Sequence, residues 1–139
     1  MRRSKRVRFL VAALLSLMVL TGAGVAEATS WSLQYDLYRT GLAPFRWSYR
    51  HQVLWTGNGT TISAHQVTDK KLSADPGWSF TNSADDPTFT YTSGGVQYKR
   101  KQTNGYFKFG ICPACDEDHP WIEATVGAGG QHWKDGHGY

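Results

Sequence analysis

Apolar and polar positions alternate along most of this chain, and the alternation predicts strands. From 31 to 37 every odd position is apolar or aromatic (Trp31, Leu33, Tyr35, Leu37), with Ser32, Gln34 and Asp36 between them. That is the period of a strand with one buried face. Phe45, Trp47, Tyr49, Val53 and Trp55 repeat the pattern after a connection at 40–44. Gly57-Asn58-Gly59 then turns the chain into a weaker strand at 61–67. Residues 70–76 read as a loop, followed by a short Trp78-Ser79-Phe80 segment and a second loop through Pro87. A further strand is predicted at 121–126. No window of ten residues carries the apolar spacing of a helix.

Two glycine dipeptides predict a three-stranded meander at 88–111. Gly94-Gly95 and Asn104-Gly105 both suit two-residue primed turns. Counting outward from the first aligns Tyr91 with Tyr98 and Phe89 with Arg100. The second aligns Tyr98 with Ile111 and Arg100 with Phe109. Both turns place the apolar set on one face, which a one-residue slip would destroy. The other face then carries Lys99 and Lys101, with Lys101 opposite Lys108. Such a row reads either as an edge protected by lysines or as a cationic stripe for an anionic partner. About seven short strands of this kind predict an all-β fold, a small antiparallel β-sandwich or open barrel.

Composition supports that class. The chain holds six Trp, seven Tyr and six Phe, and aromatic side chains bury enough area to build a small core with few aliphatics. The net charge of +4 misleads. Arg2, Arg3, Lys5, Arg6 and Arg8 precede an apolar run and the small-residue site Ala26-Glu27-Ala28, the layout of a secretory signal peptide at 1–28. The remainder, 29–139, carries ten basic and ten acidic side chains and reads as one domain with a Gly/His-rich tail at 127–139. The expected product is secreted and extracellular. Nucleic acid is not an expected partner, because the basicity leaves with the leader. No later apolar run reaches the ~20 residues of a membrane helix.

Export bears on the cysteines. Cys112 and Cys115 enclose only Pro113-Ala114, and in an oxidising compartment the expected state is a local disulfide. The alternative is a zinc set of Cys112, Cys115, His119 and His132, since two thiolates and two imidazoles satisfy the metal. The acidic run Asp116-Glu117-Asp118 reads as a solvated loop. His51 falls on the apolar face of its strand, where a hydrogen-bonded core or edge histidine is the ordinary outcome. No nucleophile elbow, zinc-protease helix or phosphate loop occurs, so neither an enzyme nor a cofactor is expected. The Trp surplus suggests exposed aromatics at Trp55, Trp121 and Trp133, where indole favours interfaces. The strand bearing Trp31, Leu33, Tyr35 and Leu37 could add to a partner's sheet edge.

The segment Trp121-Ile122-Glu123-Ala124-Thr125-Val126-Gly127, shortly before an aromatic C-terminus, resembles the closing strand of the lactococcin-972-type bacteriocins. Those are small exported β-sandwich proteins that act on the envelope of competing bacteria. The present chain departs from them in its cysteine pair and in Thr29-Ser30-Trp31 where the family has a glycine-rich opening. The resemblance implies a binding protein of interbacterial antagonism, a bacteriocin-like toxin; the alternating strand at 31–38, able to add to a partner's sheet edge, gives the other version, an adaptor subunit of an exported toxin complex. Its partners would be other secreted proteins or envelope components. A carbohydrate-binding or wall-associated module, or a small β-rich inhibitor of a secreted hydrolase, is the alternative.

Overall fold

The computed structural model describes residues 26–110 and 116–139. The described residues form strands and no helix, arranged as two antiparallel sheets that do not close into a barrel. The first sheet has the order β1-β2-β3, with β1 at Thr29–Arg39, β2 at Trp47–Gly57 and β3 at Ile62–Ala74. The second contains β4 (Trp78–Asn82), β5 (Phe89–Ser93), β6 (Val96–Phe109), β7 (Glu117–Asp118), β8 (Trp121–Gly127) and β9 (His132–Gly138). Its path is β4-β6-β8-β9, with β5 and β7 also paired to β6.

The alternation along β1 and β2 is what joins the sheets. Leu37 pairs with Tyr49, Leu33 with Val53 and Trp31 with Trp55, and cross-strand partners share a face. One apolar cluster contains Leu37, Trp47, Tyr49, Trp78, Phe107 and Ile122. Trp47 stacks on Phe107 at 4.6 Å with the rings 13° from parallel. A second cluster contains Val53, Trp55, Ile62, Val126 and Ala128, with Trp31 and Leu33 packed against it. Arg39 closes the end of the first cluster. Its guanidinium lies 5.4 Å from the Trp78 ring and donates to the carboxylates of Asp118 and Asp116. The Trp47 indole N–H also donates to Asp118, at 2.6 Å.

Three expectations from the sequence need correction. Asn104-Gly105 is not a turn, because β6 runs unbroken through it. Gly105 is a packing glycine: a Cβ there would sit 2.9 Å from the Tyr49 ring and 3.0 Å from the Phe80 ring. Tyr98 therefore pairs with Tyr91 and Gly127 rather than Ile111, and Arg100 with Phe89 and Thr125 rather than Phe109. Residues 70–74 are not loop but the continuation of β3, paired to β2 past a bulge at Ser48/Tyr49. The Gly/His-rich tail supplies β9, which pairs with β8, so the described strands number nine rather than about seven. The hairpin at Gly94 and Gly95 has the expected register, and both glycines have positive φ (57° and 77°), as a primed turn requires.

The backbones of the two sheets come into direct contact where β2 ends. A Cβ on Gly57 would lie 2.9 Å from the Cα of Ala128 and overlap its carbonyl oxygen. That oxygen already accepts the Gly59 N–H at 2.8 Å. Backbone cannot yield as a flexible side chain can, so Gly57→Ala should destabilise the protein by about 1–3 kcal/mol. A urea midpoint indistinguishable from the parent would mean that the sheets part there without strain.

Candidate functional site

The face of the second sheet that turns away from the first carries a continuous row of aromatic rings. β5 contributes Phe89 and Tyr91, β6 contributes Tyr98, and β9 contributes Trp133. Successive centroids are 5.8 Å apart for Phe89–Tyr91, 5.3 Å for Tyr91–Tyr98 and 5.6 Å for Tyr98–Trp133. The row crosses β8 at Gly127, where an added Cβ would lie 2.8 Å from the Tyr98 ring. Only a residue without a side chain leaves that path open.

Polar groups hold the ends of the row. Arg100 lies over the Phe89 ring, 5.1 Å from its centroid, and 3.8 Å from the Glu123 carboxylate. The Trp133 indole N–H donates to Asp135 at 2.9 Å, and the Thr125 hydroxyl donates to the other Asp135 oxygen at 2.6 Å. Phe89 is 54% exposed and Trp133 40%. Thr90 and Thr92, on the reverse side of β5, are exposed as well, so this edge overhangs the first sheet. Exposed aromatics beside an arginine are the side chains from which protein contacts draw most of their energy.

Ring orientation narrows the chemistry. Tyr91 and Tyr98 lie 19° from parallel and cover one another's faces, and Arg100 covers Phe89. A sugar stacks on an open ring face, whereas a protein surface can pack against ring edges and phenolic hydroxyls.

A different group of polar residues lies between the two apolar clusters. His51 of β2 is fully buried. Its Nδ1 is 2.8 Å from the Thr103 hydroxyl of β6, while its Nε2 has no hydrogen-bond partner. Burial, with a contribution from His65, pushes its pKa down to about 4. His65 is also pushed to about 4, by burial first and then by the charges of Lys99 and Lys101. The Tyr49 hydroxyl donates to Asp69 at 2.8 Å, and the Asn82 amide donates to the other Asp69 oxygen at 3.2 Å. Burial raises the Asp69 carboxyl, with Asp85 adding to the shift. The His51–Thr103 and Asp69–Asn82 contacts bind the two sheets together.

The residues singled out from sequence fall in several places. Lys99 and Lys101 do not form a stripe with Lys108. They pair with Val126 and Ala124 and share the inward face of β6 with Thr103 and Phe107. Lys108 lies on the outward face and pairs with Ser79 and Glu117, its amine 3.6 Å from the Glu117 carboxylate. Trp55 is not exposed. It is 2% accessible, stacks on Trp31 at 5.7 Å and donates its indole N–H to the Gly127 carbonyl at 3.0 Å. Trp121 is half-buried over Gly136 and Gly138 of β9. The side chains of Trp31, Leu33, Tyr35 and Leu37 belong to the interior, so a partner would meet the backbone edge of β1 and its outer side chains Ser30, Ser32, Gln34 and Tyr38, which are exposed.

Cys112 and Cys115 lie outside the described residues, and the disulfide and zinc alternatives with them. His119 packs on the Tyr106 ring at 4.9 Å. His132 sits at the far end of the β8–β9 hairpin, with Nδ1 3.1 Å from the Gly130 carbonyl. Among the described residues no three His, Cys, Asp or Glu side chains gather as metal ligands. No described helix is long and apolar enough to cross a membrane.

No protein-family model, curated protein or solved structure matches the chain. The site therefore rests on its own geometry. Phe89, Tyr91, Tyr98 and Arg100 were readable as neighbours from the Gly94-Gly95 turn, but not as surface residues. Their union with Trp133 depends on β9, which the sequence pattern did not predict.

Proposed function

We propose that this chain is an exported, non-enzymatic binding protein of interbacterial antagonism, either a bacteriocin-like toxin or an adaptor subunit of an exported toxin complex. It acts through protein–protein or envelope contacts made by Phe89, Tyr91, Tyr98, Arg100 and Trp133. The supporting observation is the exposed aromatic row, fixed in place by its own stacking and by Asp135. Such a surface is already ordered before contact, which reduces the entropy cost of binding. The basic leader and the likeness of 121–127 to a bacteriocin strand support export and antagonism.

The test compares the parent with a Phe89→Ser/Trp133→Ser variant for binding to envelope fractions of competing bacteria and for growth inhibition. Binding should weaken roughly thirtyfold or more if two hot-spot rings are lost. Unfolding should remain cooperative with a loss of about 1–3 kcal/mol, because Trp133 gives up its packing on Tyr98 and its bond to Asp135 while both apolar clusters stay intact. Equal binding by parent and variant would remove this surface from the function. Retention on purified wall polysaccharide, abolished by the same substitutions, would turn the reading to a carbohydrate-binding module. Saturable inhibition of a secreted hydrolase would turn it to an inhibitor.

A further inference from the structure

The sheets of this sandwich have four lateral edges, and three carry features that discourage edge-to-edge pairing. β3 presents Lys70 and Lys71, and its ladder with β2 is broken by bulges at Ser48/Tyr49 and Thr56/Gly57. β9 has a bulge opposite Glu123/Ala124, together with Lys134, Gly136 and Gly138. The remaining edge of the second sheet is split into β4 and β5, each five residues long and separated by a segment containing Pro87. Lysine, bulges, glycine and short strands are the usual protections of an exposed edge.

β1 has none of them. It is 11 residues long, and its ladder with β2 runs from Thr29 to Arg39 without a shift. It contains no Lys, Pro or Gly. Both of its charges are already engaged, Asp36 by two 2.7 Å bonds from Arg50 and Arg39 by Asp116 and Asp118. Among the described residues no other strand pairs with its free side, and no turn or loop backbone bonds to it.

We infer that β1 is a self-association edge at which a second copy of this chain pairs antiparallel about a twofold axis at Gln34. Full overlap of the two strands sets the register, and the sequence suits it. Trp31 faces Leu37 and Leu33 faces Tyr35 on the inner side. Ser30 faces Tyr38, Ser32 faces Asp36 and Gln34 faces Gln34 on the outer side. Apolar meets apolar, polar meets polar, and no like charges oppose, as an isologous contact requires. The two three-stranded sheets become one of six strands, with the polar outer face continuous across the seam. The pairing is independent of the aromatic surface, which lies on the other sheet.

Light scattering across a concentration series tests this on the purified full chain. The parent should pass from monomer to dimer. Gln34→Lys places two ammonium groups face to face at the axis and should weaken the dimer roughly fivefold or more. Gln34 is exposed, so at dilutions where both proteins are monomeric the melting temperature should stay near the parent's. Gln34→Cys provides a second readout: mild oxidation should link the two copies through position 34, identified by peptide mass mapping. A chain that stays monomeric at its highest soluble concentration overturns the inference. So does a dimer that ignores Gln34→Lys and forms no link at 34, because its seam is then elsewhere.

Discussion

Trp47→Ala is expected to remove several kcal/mol of the unfolding free energy, a large share of the total. The indole is 2% exposed. It stacks on Phe107 and meets the edge of Tyr139 at 5.5 Å. Truncating a buried Trp to Ala costs about 3–5 kcal/mol from lost transfer energy and the cavity left behind. Asp118 in addition loses the indole donor and is left with Arg39 as its remaining described donor. A carboxylate this shielded from water suffers when a donor goes. Domains of this size are stable by about 5–15 kcal/mol in total, so a loss of that size is a large part of what holds the fold. Trp47→Phe should recover part of the loss, because it restores ring stacking but not the N–H donor. A urea melt of Trp47→Ala within about 1 kcal/mol of the parent would show that the first cluster is not the main source of stability.

Acid should unfold this protein through its histidines before its carboxylates are titrated. In the unfolded chain each imidazole takes a proton near pH 6.5. In the fold His51 and His65 remain neutral down to about pH 4. Stability is therefore complete above pH 6.5, falls as pH drops through 6.5 to 4, and levels off below. At 1.36 kcal/mol per unit, His51 alone accounts for about 3 kcal/mol across that window. His65 adds less, being partly exposed. Asp69 acts in the opposite sense, since its raised carboxyl protonates more readily in the fold than in the unfolded chain. The check is the slope of unfolding free energy against pH near 5, with His51→Asn as the control. That variant should take up about one proton fewer on unfolding, and an unchanged slope would place the acid sensitivity elsewhere.

The paired strands β1 and β2 were legible in the sequence because a single face is buried, and there alternation and fold say the same thing. The Tyr91–Tyr98 pairing was legible for a similar reason, since Gly94-Gly95 admits few hairpins. Which side of that hairpin faces inward was not. Periodicity reports that two faces differ, and aromatic residues ordinarily claim the inner one. Here Lys99 and Lys101 point inward beside His65, where polar groups separate two apolar clusters, while the rings lie outside. Asn104-Gly105 failed as a turn signal because Gly105 is needed to admit the Tyr49 and Phe80 rings. Trp55 was misjudged because its burial depends on a carbonyl from a strand far along the chain, at Gly127. The aromatic surface was invisible as a unit for the same reason. Its members come from three strands, and one of them lay in a tail with no strand pattern.

One strand, β6, supplies Tyr98 and Arg100 to the outer surface and Thr103 and Phe107 to the interior, with no break between them. Surface and interior are thus mounted on a single beam. A substitution at Phe107 that shifts or twists the strand is transmitted along its length to the rings some thirty ångströms away, by the ~3.4 Å rise per residue. The shape of the ring surface in such a molecule cannot drift independently of its packing, and substitutions that reshape that surface alone are confined to residues that leave the beam straight.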